Sequence, residues 1–345
     1  MRTSHKKILP VFIPFAGCRN RCIYCNQHKI TGTGGCGLTE SAERQIDKYL
    51  TYSSTWDELA FYGGSFTCLP QKDRTALYSL AHARGFNALR FSTSPDCVGE
   101  DVLDEAEACG VRTVELGVQS LSETVLRMNK RPYDAAACLE AVKAVQKRFI
   151  TGIQMMTGMH GESAADVIHT ADTLAAVKPD YARIYPTVVL ADTELAELFE
   201  SGAYVPPSPA EILLRTAYAY AALTSAGTNV IRTGLQYTDN LENSIKGGFY
   251  HPAFGDMVKT LITLIYLHNY GEIRTMEADA HKLRGYKALA RKHFPDKIIT
   301  DESFQTDFTE ICMKTKEHIF ENNGRNPERH AASYSEELIR QTHNG

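Results

Sequence analysis

Six apolar runs, VFIPF, ELAFYG, NALRFST, TVELGVQ, FITGIQMM and YARIYP, recur along the chain. Amphipathic stretches such as SAERQIDKYL, RTALYSLAHAR, EDVLDEAEACG, AACLEAVKAVQKR and SAADVIHTADTLAAV separate them. Six strand–helix periods in succession predict an α/β fold with a parallel sheet, because each crossover helix covers the face that its neighbouring strands must bury. VIRTGLQYTD can add one more strand. From Met257 onward the pattern is mainly helical, with GEIRT as a short hairpin or edge strand. The expected division is therefore a β/α core over 1–240 and a mainly helical substrate or partner region over 241–345. A chain of 345 residues with 43% hydrophobic content suffices for such a core with an appendage, or for two domains.

The net charge of -4 and the pI near 6.3 advertise no global positive field for nucleic acid, although a local patch is compatible with them. The basic start, MRTSHKKILPVFIPF, lacks a long apolar h-region and no later run approaches a membrane span, which predicts a cytoplasmic protein without membrane partners. Nine cysteines, an odd number with only three closely grouped, argue against a disulfide framework. Cys109, Cys138 and Cys312 fall in helical apolar surroundings and read as small core residues. Cys36, Cys68 and Cys97 each follow a predicted strand or the cysteine loop, so all three can approach one end of the sheet, where a second cluster or a radical-accepting thiol is conceivable.

The grouped cysteines are Cys18, Cys22 and Cys25 in FAGCRNRCIYCNQ, directly after the first strand. Three thiolates at this spacing can hold three corners of an iron–sulfur cube while leaving its fourth iron open, and Gly17 and Asn20 permit the tight turns that requires. The competing metal is a structural zinc, with Cys36 or His28 as the nearest fourth ligand.

The triplet, with Tyr24 just before its last cysteine, resembles the motif of the radical S-adenosylmethionine (SAM) enzymes. The resemblance implies a partial (β/α)6 TIM-like barrel, with the reaction chamber among the loops beyond the strand C-termini. It also implies a [4Fe–4S] cluster on Cys18, Cys22 and Cys25 whose open iron binds SAM. An electron from the reduced cluster would cleave SAM to a 5'-deoxyadenosyl radical that abstracts hydrogen from a substrate. Tyr24 would lie near the adenine, or else pack as a core aromatic under the loop.

Further motifs fall where that family contacts SAM. YGGSFTCLP carries Gly63, Gly64 and Ser65, which look like the glycine motif that receives the amino group. In FSTSPD, Ser92 and Thr93 stand where related coproporphyrinogen-oxidase-like enzymes usually have a glutamate facing the ribose. These hydroxyls can bond to the ribose or cap the turn. The period of two in TVELGVQS puts Glu115, Gly117 and Gln119 on one side and Val114, Leu116 and Val118 on the other. Gln119 matches a SAM contact, whereas Glu115 can pair with a buried arginine. In SETVLRMNKRPY, Arg131 matches an arginine that meets SAM's carboxylate, a task suited to its planar fork. Gln154 stands where relatives often place a ribose-binding aspartate.

RIYPTVVLADTELAEL, the Gly202–Tyr204 step and SPAEILL resemble the Elongator catalytic subunit, and the likeness runs from Leu9 to Leu235. No acetyltransferase domain follows, so acetyl-CoA is not an expected partner. The resemblance suggests tRNA or a nucleotide as substrate and a reductant such as flavodoxin or ferredoxin. Peptide or small-molecule modification is the enzymatic alternative. A noncatalytic iron–sulfur scaffold or sensor is the other, although cluster stability alone does not require Gly64, Ser65, Gln119 and Arg131. His251, beside Phe254, can position substrate or satisfy its own loop. Arg284, Lys287 and Arg291 are expected to share a helical face beside Lys282 and Lys292, as solvated surface or as a phosphate contact.

Overall fold

The computed structural model describes residues 6–28, 37–236, 239–276, 280, 282–301, 307–320 and 326–343. Seven parallel strands form its main sheet in the order β1 (Ile8–Phe12), β2 (Glu58–Tyr62), β3 (Leu89–Thr93), β4 (Val111–Gln119), β5 (Ile150–Thr157), β6 (Tyr181–Pro186) and β8 (Asn229–Thr233). This sequential order curls the sheet into a partial barrel. The six expected strands are present, and the expected further strand in VIRTGLQYTD is found as Asn229–Thr233. The excursion between β6 and β8 carries β7 (Val189–Leu190), which pairs antiparallel with β9 (Ile245–Gly247).

Strand alternation divides the barrel into two layers. Leu9, Val11, Leu59, Phe61, Leu89, Phe91, Val114, Leu116, Ile153 and Ile184 point outward into a core shared with the crossover helices. Buried apolar residues of the C-terminal helices, including Leu261, Ile311 and Leu338, belong to the same core. They meet it through the helix Pro209–Ser225, which is buried on nearly every side. The expected basic stripe does not form. The chain turns at Gly285 (φ 78°), Lys287 and Ala288 take positive φ, and Arg291 belongs to a new helix, Leu289–His293. Lys287 Nζ donates to the Gln341 carbonyl at 2.6 Å.

The inner layer is polar. Glu58 accepts from Arg90 Nε at 2.7 Å and from Lys6, and Arg90 Nη2 reaches Thr113 Oγ1 at 3.2 Å. Glu115 accepts from Arg183 Nε at 2.9 Å and from the Gln154 amide, so the buried carboxylate has the expected arginine partner, itself only partly buried. Gly152 leaves room for the Tyr181 ring, because a Cβ there would lie 2.1 Å from Cζ. Breaking a buried pair strands the remaining charge at a cost of about 3–5 kcal/mol. Arg90→Ala is therefore expected to lose stability in that range by denaturant titration, and the double change Glu58→Leu/Arg90→Met to recover much of it. Equal losses in both variants would show that packing, not the stranded Glu58, sets the cost.

Candidate active site

The loop that follows β1 is bonded to the loop that follows β2. Ile13 N donates to Tyr62 O at 2.8 Å, Phe15 N to Gly63 O at 3.0 Å and Ser65 N to Ala16 O at 2.9 Å. Two glycines make this approach possible. A Cβ on Gly64 would sit 2.4 Å from the Ala16 carbonyl oxygen, and one on Gly17, where φ is +75°, would sit 2.2 Å from the Ser65 carbonyl oxygen. Ser65 Oγ consequently lies 3.7 Å from Cys18 Sγ.

The far side of the cysteine loop is held by the connection after β6. Leu195 N donates to Ile23 O at 2.8 Å and Asn26 Nδ2 to Ala191 O at 3.0 Å, while Ile23 and Tyr24 pack with Val189, Leu195, Ala196 and Tyr204. This gives Tyr24 the packing contacts of its core-aromatic reading. The LADTELAEL stretch clamps the loop, a job that only three-dimensional contact reveals.

Cys18, Cys22 and Cys25 are free and partly exposed. Their sulfurs do not all lie within 4.8 Å of one another. A single zinc ion with bonds of about 2.3 Å needs a tighter set, whereas the corners of an iron–sulfur cube stand farther apart. Burial pushes the Cys25 thiol up to about 12 and raises that of Cys18. Metal binding must therefore displace protons from this loop.

Arg131 closes the floor of the mouth. Its Nη1 lies 2.9 Å from Cys22 Sγ and 3.4 Å from Tyr24 Oη, and its Nη2 donates to Gly117 O at 2.6 Å. Tyr133, which the sequence reading missed, fixes the guanidinium by accepting from Nε at 2.9 Å. Among the described residues, no carboxylate pairs with this cation. Gln119, at φ 63° beyond an irregularity in β4, has a buried Oε1 without a partner. An unpaired cation, an unsatisfied amide oxygen and three thiols at one mouth fit a ligand with carboxylate and ammonium groups beside an iron–sulfur cluster.

The remaining expected contacts separate by the face on which they stand. Ser92 is partly exposed on the inner face, paired in register with Glu115. Thr93 is buried, and its Oγ1 is bonded to Thr67 Oγ1 at 2.6 Å and to Thr67 N at 3.2 Å, so its hydroxyl serves the turn. The Gln154 amide nitrogen is engaged by Glu115. His251 Nδ1 accepts from Ala253 N at 3.0 Å, a bond to its own loop. Cys68 and Cys97 do approach one end of the sheet, but as a disulfide rather than as the free thiols expected, because the short helical turns after β2 and β3 bring their Cα atoms to 5.2 Å. Cys36 lies outside the described residues.

Residues 12–174 match the radical SAM superfamily model and residues 179–263 the radical SAM C-terminal domain. The chain belongs to the radical SAM superfamily. It is 28% identical over 174 residues to the uncharacterized protein MJ0486 of Methanocaldococcus jannaschii, covering 48% of this chain and 54% of that one. It is 28% identical over 213 residues to a tRNA uridine(34) acetyltransferase of the same organism, covering 52% and 38%. The chain thus spans about half or less of the length of these relatives. The fold is similar to that of the archaeal Methanocaldococcus infernus Elp3, with a TM-score of 0.57 at 19% identity over 80% of this chain and 67% of that one. The radical SAM domain implies binding of SAM and of a [4Fe–4S] cluster. Cys18, Cys22 and Cys25 are the residues suited to hold the cluster.

Proposed function

We propose that this enzyme uses SAM radical chemistry on tRNA or a nucleotide, with electrons from a reductant such as flavodoxin or ferredoxin. The observation that carries the substrate reading is the charge of the cluster edge. The cysteine loop over 13–28 contains no acidic residue. Its two arginines, Arg19 and Arg21, are exposed. A polyanion can meet this edge although the rest of the chain is net acidic. The likeness to a relative named for tRNA uridine(34) points the same way.

When bound, the cluster and SAM supply reductive cleavage to a 5'-deoxyadenosyl group that takes hydrogen from the substrate. The protein's own part is positioning. In this reading Arg131 grips SAM's carboxylate, Gln119 Oε1 accepts from a SAM donor, and the Gly63–Ser65 loop receives the ammonium group. Ser92 faces the ribose, and Gln154 offers it the amide oxygen that Glu115 leaves free. The polar inner layer of Glu58, Arg90, Glu115 and Arg183 fills the barrel below, so the substrate enters from the strand C-terminal end. Among the described residues, no helix is long and apolar enough to cross a membrane.

The test is anaerobic reconstitution followed by mass-spectrometric detection of 5'-deoxyadenosine, with intact or nuclease-digested cellular tRNA added. Reductant-dependent product that rises with intact tRNA, together with a new nucleoside in the digested RNA, is expected. Abundant product indifferent to tRNA and nucleotides would move the substrate to a peptide or small molecule.

A further inference from the structure

The Cys68–Cys97 disulfide joins the turn Phe66–Cys68, which directly follows Gly63–Ser65, to the turn Pro95–Cys97, which directly follows Ser92–Ser94. It therefore spans the two loops proposed to hold the ammonium and ribose of SAM. The turns are also joined by noncovalent bonds. Thr67 is bonded to Thr93 through both its amide and its hydroxyl. Arg74 Nη1 donates to the Leu69 carbonyl at 2.6 Å, and its Nε and Nη2 reach Glu105 at 2.8 and 2.6 Å. What the sulfur pair adds to these noncovalent bonds is a covalent tether that a thiol reductant can open.

Its surroundings favour reversal. A cluster on Cys18, Cys22 and Cys25 requires reducing conditions that keep thiols available, and accessible disulfides open in them. Cys68 is partly exposed, whereas Cys97 is 8% exposed. We propose that Cys68 and Cys97 form a reversible thiol–disulfide pair that sets how tightly the two SAM-binding loops are held together. This rests on the placement of SAM given under Proposed function.

Opening follows ordinary thiol exchange with a dithiol reductant. One reductant thiolate attacks Cys68 Sγ, the S–S bond breaks, and Cys97 leaves as a thiolate that takes up a proton. Asp96 Oδ2, 3.6 Å from Cys97 Sγ, is placed to accept a hydrogen bond from the resulting thiol. The second reductant thiol resolves the mixed disulfide and releases Cys68. Two electrons and two protons pass to the pair, and the reductant becomes a disulfide. The closed form fixes the loop spacing before SAM arrives and so binds it more tightly, by about threefold or more.

The experiment uses the reconstituted holoenzyme under argon, oxidised with glutathione disulfide or reduced with dithiothreitol. Each sample is divided between alkylation mass spectrometry and equilibrium dialysis with SAM. Cys68 and Cys97 should be protected from alkylation after oxidation and both modified after reduction without loss of iron. The Kd for SAM should rise about threefold on reduction, and Cys68→Ser/Cys97→Ser should abolish that redox dependence. Alkylation of both thiols after oxidation, opening only in denaturant, or the same Kd in both states would overturn the proposal. Failure of SAM to bind in either state would instead overturn the site assignment on which the coupling rests, and the alkylation pattern would still decide whether the pair is reversible.

Discussion

Replacing Cys22 with Ala is expected to reduce 5'-deoxyadenosine formation to background and to remove the [4Fe–4S] absorbance and spin signal. The loop supplies only three thiolates, and among the described residues no other cysteine or histidine completes a compact metal set with them. With two thiolates left, a four-iron cube would have two unprotected irons instead of one. The loop itself should survive. It is held on one side by the Ile13, Phe15 and Ala16 bonds to the β2 loop, and on the other by Ile23 and Asn26 against 191–195. The fold of Cys22→Ala should therefore be close to that of the wild type by circular dichroism while iron content falls from about four per chain to below one. Wild-type cleavage in a variant without iron would sink the mechanism.

Arg131→Ala should leave more of the cluster but weaken SAM. Its guanidinium meets Gly117 O, Tyr133 Oη, Cys22 Sγ and Tyr24 Oη, and no described carboxylate neutralises it. Losing a charge-assisted contact to SAM's carboxylate costs about 1.5–3 kcal/mol, roughly ten- to hundredfold in Kd. Arg131→Lys keeps a cation without the fork and should fall between the wild type and Ala. Equilibrium dialysis on samples matched for iron content measures this directly. Unchanged affinity in Arg131→Ala would remove the carboxylate role and leave Arg131 as a support for the Cys22 corner.

Much of this was legible because it is local. Period-two alternation placed Glu115 opposite Val114 and Leu116, since neighbouring side chains on a strand must leave by opposite faces. The spacing of Cys18, Cys22 and Cys25 implied three thiolates in one loop, since so few residues cannot carry them far apart. The failures also share a cause. The basic stripe assumed that one helix runs through Arg284 and Arg291, but the positive φ at Gly285, Lys287 and Ala288 breaks the period that put those charges on one face. Periodicity carries no information about such a break.

The sequence by itself determined the succession of parallel strands and helices, the three-thiolate loop and the residue types around its mouth, because short-range spacing and hydrophobic period dictate them; the partial barrel was implied by the family resemblance. Tertiary structure alone decided which of those residues have partners. It turned Thr93 toward Thr67, gave the Gln154 amide to Glu115, left Arg131 without a carboxylate among the described residues, and joined Cys68 to Cys97 across a sequence separation of 29. The physical reason is that a polar group's state depends on what lies within about 3 Å of it. In a parallel β/α barrel those neighbours come from other strands, one crossover or more away in the chain.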